Sequence, residues 1–166
     1  MKNLILTLLF SMPLMAQQHA FVADNGNIVW EKEFPVTNVN VVSLIEAQPS
    51  FKVGGFIDNV YTGYTEEIAI GGEGGTALMK NNCKFEFVVF VKDDGYVVKV
   101  KNLKFLEKMG PLQMRTVVNS CEKYFMDEKK IRPTPITQGN LDYLDNWLTG
   151  VFTGNAISTG ESLTSN

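Results

Sequence analysis

The stretch that decides the fold is residues 84–105, KFEFVVFVKDDGYVVKVKNLKF. Two runs rich in β-branched and aromatic residues flank Asp94-Gly95, a dipeptide that supplies the positive φ angles of a two-residue hairpin turn. Because side chains alternate across a strand, a turn there places the large apolar residues of both runs on one face. The predicted cross-strand pairs are Val91 with Val98, Val89 with Val100 and Asp93 with Tyr96.

The other face of this hairpin is unusually apolar for a solvent-exposed surface. Aromatic, aliphatic and lysine side chains together suit binding, and the residues assigned to this predicted binding surface are Val88, Phe90, Lys92, Val97, Lys99 and Lys101. The same face is predicted to carry Lys84, Leu103 and Phe105. The alternative is that lysine stems cover the apolar side chains, or that another segment packs on them. Since residues 85–91 would aggregate at an open edge, we expect this strand to be central or covered.

Weaker signals place one helix and further strands before the hairpin. Residues 28–34 have strand composition and end at a proline. Residues 38–48 place apolar side chains at helical spacing. Residues 51–53 and 57–70 predict further extended segments, the second rich in tyrosine and isoleucine.

Two helices are predicted after the hairpin. The first begins at Pro111, because proline suits the first turn of a helix, and its apolar positions are Met114, Val117, Val118, Cys121 and Phe125. Asn140 caps the second helix, whose buried stripe is Leu141, Leu144, Leu148, Val151 and Phe152. Strands followed by helices predict an α+β fold, with C-terminal helices packed on one face of an antiparallel sheet.

The first 16 residues have the pattern of a secretory signal peptide, with a positive start, an apolar stretch and the small residue Ala16. Cleavage is predicted after Ala16, and cleavage after Ala20 is the alternative. The apolar stretch is shorter than the roughly 20 residues of a spanning helix, so we expect no transmembrane segment after leader removal. No cysteine follows either site, so we expect no lipoprotein. The expected product is a periplasmic or extracellular α+β domain, residues 17–152, with a flexible tail, residues 153–166.

The composition argues against several classes of function. The 166 residues include 15 Lys+Arg and 18 Asp+Glu, a formal net charge of -3, which gives no electrostatic reason to expect a nucleic acid as partner. His19 is the single histidine, and it lies near the expected mature amino terminus, where a general base is hard to hold in place. We therefore predict no catalytic residues, no metal site and no cofactor, and expect the chain not to be an enzyme.

Export changes how the two cysteines, Cys83 and Cys121, are interpreted, because disulfides persist in oxidising compartments. On the predicted elements both thiols point into one core. A bond between them would stabilise the fold by roughly 4 kcal/mol in the loop-entropy model. The alternative is two buried free thiols, and both interpretations stay open. Without a CxxC pair or a positioned histidine, neither thiol is expected to be a nucleophile.

The order of these features resembles a family of secreted bacterial domains of unknown function that have a TATA-binding-protein-like (TBP-like) fold. The segments behind the resemblance are the leader, residues 26–34 (GNIVWEKEF), residues 61–70, the hairpin at residues 91–98 (VKDDGYVV) and the predicted helix near Leu112. The resemblance covers most of residues 22–127. It implies a curved antiparallel sheet of about five strands backed by helices, and it implies no catalytic residues.

Three functional hypotheses follow. The first is a non-enzymatic domain of the cell envelope that binds a protein or a cell-surface component through the sheet face. The second is a small hydrolase or isomerase that uses carboxylates such as Asp58, Glu66 or Asp93 in a cleft. The third is a structural subunit of an envelope assembly. We favour the first, because no catalytic constellation is visible and the sheet face combines apolar with basic groups.

Overall fold

The computed structural model describes residues 20–35, 40–71 and 75–154, which build a large antiparallel sheet and a two-stranded ribbon. The strands of the large sheet are β1 (Phe21–Asp24), β2 (Asn27–Pro35), β3 (Phe51–Ile57), β4 (Val60–Thr65), β5 (Ile68–Ala69), β6 (Asn82–Lys92), β7 (Gly95–Met109) and β8 (Arg115–Ser120). The ribbon consists of β9 (Met126–Asp127) and β10 (Lys130–Ile131). The helices are α1 (Val41–Glu46), α2 (Cys121–Phe125) and α3 (Pro135–Thr153).

The β6–β7 hairpin lies at the centre of the large sheet. Across the described residues the strand order is β1-β2-β7-β6-β4-β3, with β5 beside β6 and β8 beside β7. Residues 86–90 therefore pair with a neighbouring strand on both sides, which leaves no open edge on this apolar run. The predicted α+β class, with a curved antiparallel sheet packed on one face by C-terminal helical structure, is confirmed.

The sheet has more strands than the five or so predicted, because tight turns divide the chain further. Asn25 and Gly26, at φ 51° and 84°, join β1 to β2. Asp58 and Asn59, at φ 49° and 64°, join β3 to β4. Asparagine, aspartate and glycine tolerate this left-handed region, so both dipeptides form two-residue hairpin turns. The predicted strand over residues 57–70 is consequently divided among β3, β4 and β5.

The register of the central hairpin differs from the prediction by two residues. Lys92 lies opposite Gly95, so the turn residues are Asp93 and Asp94, neither of which has a positive φ. Gly95 has φ 156°, and a Cβ there would lie 2.1 Å from the carbonyl oxygen of Phe34 on β2. This close approach requires glycine inside the strand instead of in the turn. A shift of two residues keeps each side chain on its predicted face, and the observed pairs are Val91 with Tyr96, Val89 with Val98 and Phe87 with Val100.

A bulge in β7 overturns the predicted placement of Leu103 and Phe105 on the solvent face. Asn102 and Leu103 together lie opposite the single residue Phe85 of β6. Asn102 has φ 53°, and the extra residue reverses which side chains point inward beyond it. Leu103 and Phe105 are therefore buried, at 2% and 0% exposure.

The first predicted C-terminal helix is mostly a strand, which corrects that prediction. Residues 115–120 (RTVVNS) form β8 along the second half of β7, and only Cys121–Phe125 are helical. Three consecutive β-branched residues, 116–118, favour an extended backbone. The edge of β7 supplies their hydrogen-bond partners, which a local helical pattern could not reveal. Met114 is 85% exposed and Val118 47% exposed, so neither belongs to a buried helical stripe.

The second predicted helix is confirmed as α3, which packs on the inner face of the sheet. It begins at Pro135, with the hydroxyl of Thr134 accepting a hydrogen bond from the backbone N–H of Thr137 (3.2 Å). Asn140 is therefore inside the helix instead of at its start, and it accepts a hydrogen bond from the Thr76 hydroxyl (2.7 Å). The predicted buried stripe is at most 2% exposed throughout, and consists of Leu141, Leu144, Leu148, Val151 and Phe152.

Other predictions fall at or beyond the limits of the described residues. Helix α1 confirms the helix predicted within residues 38–48, and Asn40 caps it. Thr153, the first residue of the predicted tail, still belongs to α3. The leader at residues 1–16, His19 and residues 155–166 of the predicted tail lie outside the described residues.

Candidate functional site

The structure places all six predicted binding residues on the side of the β6–β7 hairpin opposite α3, which we call the outer face. These residues are Val88, Phe90, Lys92, Val97, Lys99 and Lys101. Register confirms that they are neighbours; for example, Val88 of β6 lies opposite Lys99 of β7. Two of the lysines are exposed and the other four side chains are half-buried. As far as the described ranges extend, this face is open to solvent.

Each of the three lysines among these six residues has a carboxylate partner. The Nζ–carboxylate distances are 2.8 Å for Lys92–Glu33, 2.9 Å for Lys99–Glu31 and 3.5 Å for Lys101–Glu86. The hydrogen bond to Glu33 raises the pKa of Lys92. The ammonium of Lys99 also lies 5.9 Å from the centre of the Phe90 ring, within cation–π range. The part of the outer face formed by these six residues is thus apolar and charge-balanced, in contrast to the basic surface predicted from the hairpin alone.

Two of these three glutamates come from a strand outside the hairpin, whereas Glu86 lies on β6 itself. Glu31 and Glu33 lie on β2, whose pairing with β7 brings them beside the lysines. Their spacing of two residues within residues 28–34 is the sequence signal that they share a face. On the other side, β4 adds Tyr64, which lies opposite Glu86 and is 52% exposed. The outer face therefore extends over β2, β7, β6 and β4.

The three carboxylates considered for a hydrolase are all exposed. Asp58 lies in the β3–β4 turn and Asp93 in the β6–β7 turn, whereas Glu66 follows β4 at the opposite end of that strand. Glu66 Oε2 is 4.0 Å from the ammonium of Lys52. Exposed side chains of this kind do not form the facing pair across a cleft on which carboxylate catalysis depends.

A different carboxylate, which the sequence does not single out, has a defined hydrogen-bond environment. Glu107 Oε1 accepts hydrogen bonds from the Tyr124 hydroxyl and from Nδ2 of Asn119. The tyrosine bond above all lowers the pKa of Glu107, and burial acts against it. Burial, and then the bond to Glu107, raise the pKa of Tyr124 to about 12. The three residues come from β7, β8 and α2, so this cluster fastens α2 to the sheet edge.

The two cysteines are present in the structure as buried free thiols. Cys83 lies on β6 at 0% exposure, and Cys121 begins α2 at 1% exposure. Burial raises the pKa of both thiols, and for Cys121 the neighbouring Glu122 raises it further. A thiol kept protonated in this way is a poor nucleophile.

Metal-ligating clusters and membrane-spanning helices are two further features that bear on function. No group of three His, Cys, Asp or Glu side chains suited to a metal ion occurs among the described residues. Over the same part of the chain, no helix has the length and apolar character needed to cross a bilayer.

The architecture is similar to that of solved bacterial proteins. A TBP-like protein from Parabacteroides distasonis ATCC 8503 matches with a TM-score of 0.50 over 87% of this chain and 100% of that chain, at 12% sequence identity. The fold is TBP-like. This confirms the fold that the sequence resemblance implied.

Other comparisons add little to this result. A DUF4468 family protein from Bacteroides ovatus ATCC 8483 matches 80% of this chain and 90% of that chain, with a TM-score of 0.44 and 15% identity. No protein-family model matches the sequence, and neither does any curated protein. At these identities the likeness concerns the fold alone, and a shared fold does not carry a function to this chain.

Proposed function

We propose that this protein is a non-enzymatic binding domain of the bacterial cell envelope, which holds another protein or a cell-surface component on its outer face. Export rests on the leader pattern of residues 1–16. The observation that carries the proposal is an apolar row on an open sheet face. A one-sided antiparallel sheet normally presents polar residues to water, whereas here Val88, Phe90 and Val97 lie on the side opposite α3.

The lysine–glutamate pairs support this proposal, because they keep the free surface compatible with water. Lys99 lies over the Phe90 ring while its ammonium reaches Glu31 (2.9 Å). The aliphatic part of a lysine side chain covers apolar surface and can move away at a low cost in free energy. A partner can therefore displace the lysines and bury the apolar row beneath them. Exposed pairs of this kind contribute little to folding, which leaves them free to rearrange.

The charge balance also favours one class of partner. A nucleic acid or another polyanion requires an excess of cations on the surface that binds it. On the outer face, Lys92, Lys99 and Lys101 are each matched by a glutamate. A surface of mixed charges around an apolar centre resembles the core and rim of protein interfaces. A protein partner of mixed charge therefore fits this face best.

The proposal is tested with the double variant Phe90→Ser, Lys99→Ser, used as bait in envelope extract beside the wild-type chain. Ile136→Ser is the matched control, because Ile136 is 72% exposed and lies on α3, away from the outer face. We expect wild type and control to recover the same partner. The outer-face variant is expected to recover at least about tenfold less, since central apolar residues dominate binding energies.

Recovery of the same partners by all three baits would contradict the outer-face assignment. Circular dichroism of each bait checks that it is folded. If the double variant does not fold, Lys99→Glu serves in its place, because it reverses one charge of the face without removing the apolar row. Undiminished binding by that variant and by Lys92→Glu would count equally against the proposal.

A further inference from the structure

The loop between β7 and β8, residues 110–114 (GPLQM), presents large apolar side chains to solvent. Leu112 is 91% exposed and Met114 85% exposed, the highest values among the large hydrophobic residues of the described chain. Met109, at the end of β7, is 52% exposed. Surface hydrophobic residues are usually scattered singly, so three within six consecutive positions form a patch that calls for an explanation.

The backbone of this loop holds its apolar tip in an uncommon conformation. Leu112 and Gln113 have φ of 59° and 54°, and a hydrogen bond joins the N–H of Gln113 to the carbonyl oxygen of Gly110 (3.0 Å). A leucine in the left-handed region is rare, and such strained residues concentrate at functional sites.

A polar groove of about 330 Å³ lies beside the loop and contains cations without carboxylate partners. Its lining residues are Lys80, Asn81, Asn82, Leu106, Lys108 and Gln113. Neither of its lysines has an ion pair within 4.0 Å in the described segments, unlike Lys92, Lys99 and Lys101. The nearby Glu67 accepts a hydrogen bond from Asn82 (2.6 Å).

The unpaired positive charge continues from the groove along the sheet. Lys84 and Lys104 lie opposite each other on β6 and β7, and no ion pair within 4.0 Å involves either of them in the described part of the chain. Adjacent like charges repel and destabilise a sheet. An anionic ligand would relieve this repulsion.

We propose that this loop and groove bind an anionic phospholipid surface, with Leu112 and Met114 entering the acyl boundary while Lys80 and Lys108 contact lipid phosphates. Apolar side chains beside basic groups are the combination by which proteins lie on anionic membranes. A free phosphate would use the groove and leave the exposed leucine and methionine without a role. A lipid surface engages both features, and the groove includes none of the six residues proposed to bind a protein.

A label on the loop tip tests insertion in the full chain. The sequence has two cysteines, both buried, so Leu112→Cys adds an accessible thiol for an environment-sensitive fluorophore. We expect a blue shift with vesicles of phosphatidylglycerol and phosphatidylcholine in equal parts, and no shift with phosphatidylcholine alone. Ile136→Cys, labelled in the same way on α3, is the control and is expected to show no shift. Because the readout is local to the label, membrane attachment through residues 1–16 does not imitate it.

The groove is tested with Lys80→Gln, Lys108→Gln in the labelled chain, beside Lys92→Gln, Lys99→Gln on the outer face. We expect the groove variant to need at least about tenfold more anionic lipid for the same shift, and the outer-face variant to need no more than the labelled parent chain. An equal response to neutral vesicles, or an unaffected groove variant, would overturn the proposal. So would glycerol phosphate binding to the groove without any response of the loop label to vesicles, because the groove would then hold a small anion only.

Discussion

Two residues with unusual backbone angles shape the central hairpin. Gly95 at φ 156° lets β2 approach β7, since the carbonyl oxygen of Phe34 occupies the space that a Cβ would need. Asn102 at φ 53° creates the bulge that turns Leu103 inward. Glycine and asparagine are the residues that accept such angles at low cost. The backbone angles of Gly95 and Asn102 therefore allow the hairpin to pack against β2 and the core.

A second consequence of single residues concerns Glu107. The substitution Tyr124→Phe removes the hydroxyl donor that lowers the pKa of Glu107. We therefore expect that pKa to rise toward the usual value of about 4.3. A lowered folded-state pKa means that Glu107 favours folding above its unfolded-state pKa. This contribution is lost as the pH falls through the folded-state pKa. The variant is thus expected to lose less unfolding free energy than wild type on acidification.

A carboxyl NMR titration of Glu107 and urea unfolding at several acidic pH values measure both effects. Tyr143→Phe is the control, because Tyr143 is a half-buried tyrosine on α3 outside the Glu107 cluster. A Glu107 pKa that stays low in Tyr124→Phe would show that the tyrosine bond is not its main cause. Since the pKa of Tyr124 is about 12, the phenol remains a donor throughout the acidic range.

At the scale of elements, α3 is fastened to β2 by a polar contact inside an apolar interface. Asp145 Oδ1 accepts hydrogen bonds from Nε1 of Trp30 (2.8 Å) and from the ammonium of Lys32 (3.1 Å). Lys32 also donates to the hydroxyl of Thr149 (2.9 Å). Trp30 is fully buried, so its indole N–H has no access to water if this partner is lost. The contact fixes where α3 lies along β2.

We expect Asp145→Ala to lower the free energy of unfolding by about 2–3 kcal/mol, because it leaves the Trp30 N–H unsatisfied and Lys32 without its carboxylate. Urea denaturation followed by tryptophan fluorescence measures the change. Asp142→Ala is the matched control on the same helix, at an exposed position, and should change stability by no more than about 0.5 kcal/mol. Equal stabilities of the two variants would refute the role given to Asp145.

Helices and strands were predicted correctly where the local spacing of apolar residues is enough to define them. They were predicted wrongly where pairing with a neighbouring strand decides the backbone conformation. The stripe from Leu141 to Phe152 packs as predicted. Apolar residues spaced every three to four positions share one face only when the segment is helical, so a helix is the conformation that buries them together. The predicted stripe from Met114 to Phe125 has a similar apolar spacing, yet residues 115–120 within it form a strand. Their β-branched side chains tolerate both conformations, and the adjacent edge of β7 selected the extended one.

At the scale of the whole molecule, the two buried thiols report on global unfolding. Burial raises the pKa of Cys83 and Cys121, so both are expected to resist a thiol-specific reagent at pH about 8 in the folded chain. Both should react in urea without any reductant, with the same midpoint as the loss of circular dichroism. Labelling of the native chain would contradict the burial of the thiols. Labelling in urea only after reduction would reveal a disulfide.

The position of the outer-face residues could be predicted from the hairpin sequence, but most of their charge partners could not. The six residues of the outer face were predicted from periodicity, and the structure places all six together. Two of its three ion pairs could not be predicted from the hairpin, because Glu31 and Glu33 reach the lysines only through the pairing of β2 with β7. The β7–β8 loop was missed for the opposite reason, since Leu112 and Met114 were assigned to a helix that does not form.

The sequence by itself determined the central hairpin, its faces and α3, because alternation and helical spacing act over a few residues and survive in any fold that buries them. The tertiary structure decided the two-residue shift in register, the bulge at Asn102, the strand at residues 115–120 and the ion pairs of the outer face. The register at Gly95, the strand at residues 115–120 and the pairs with Glu31 and Glu33 depend on a backbone or charge outside the segment itself, which becomes a neighbour only when the sheet assembles.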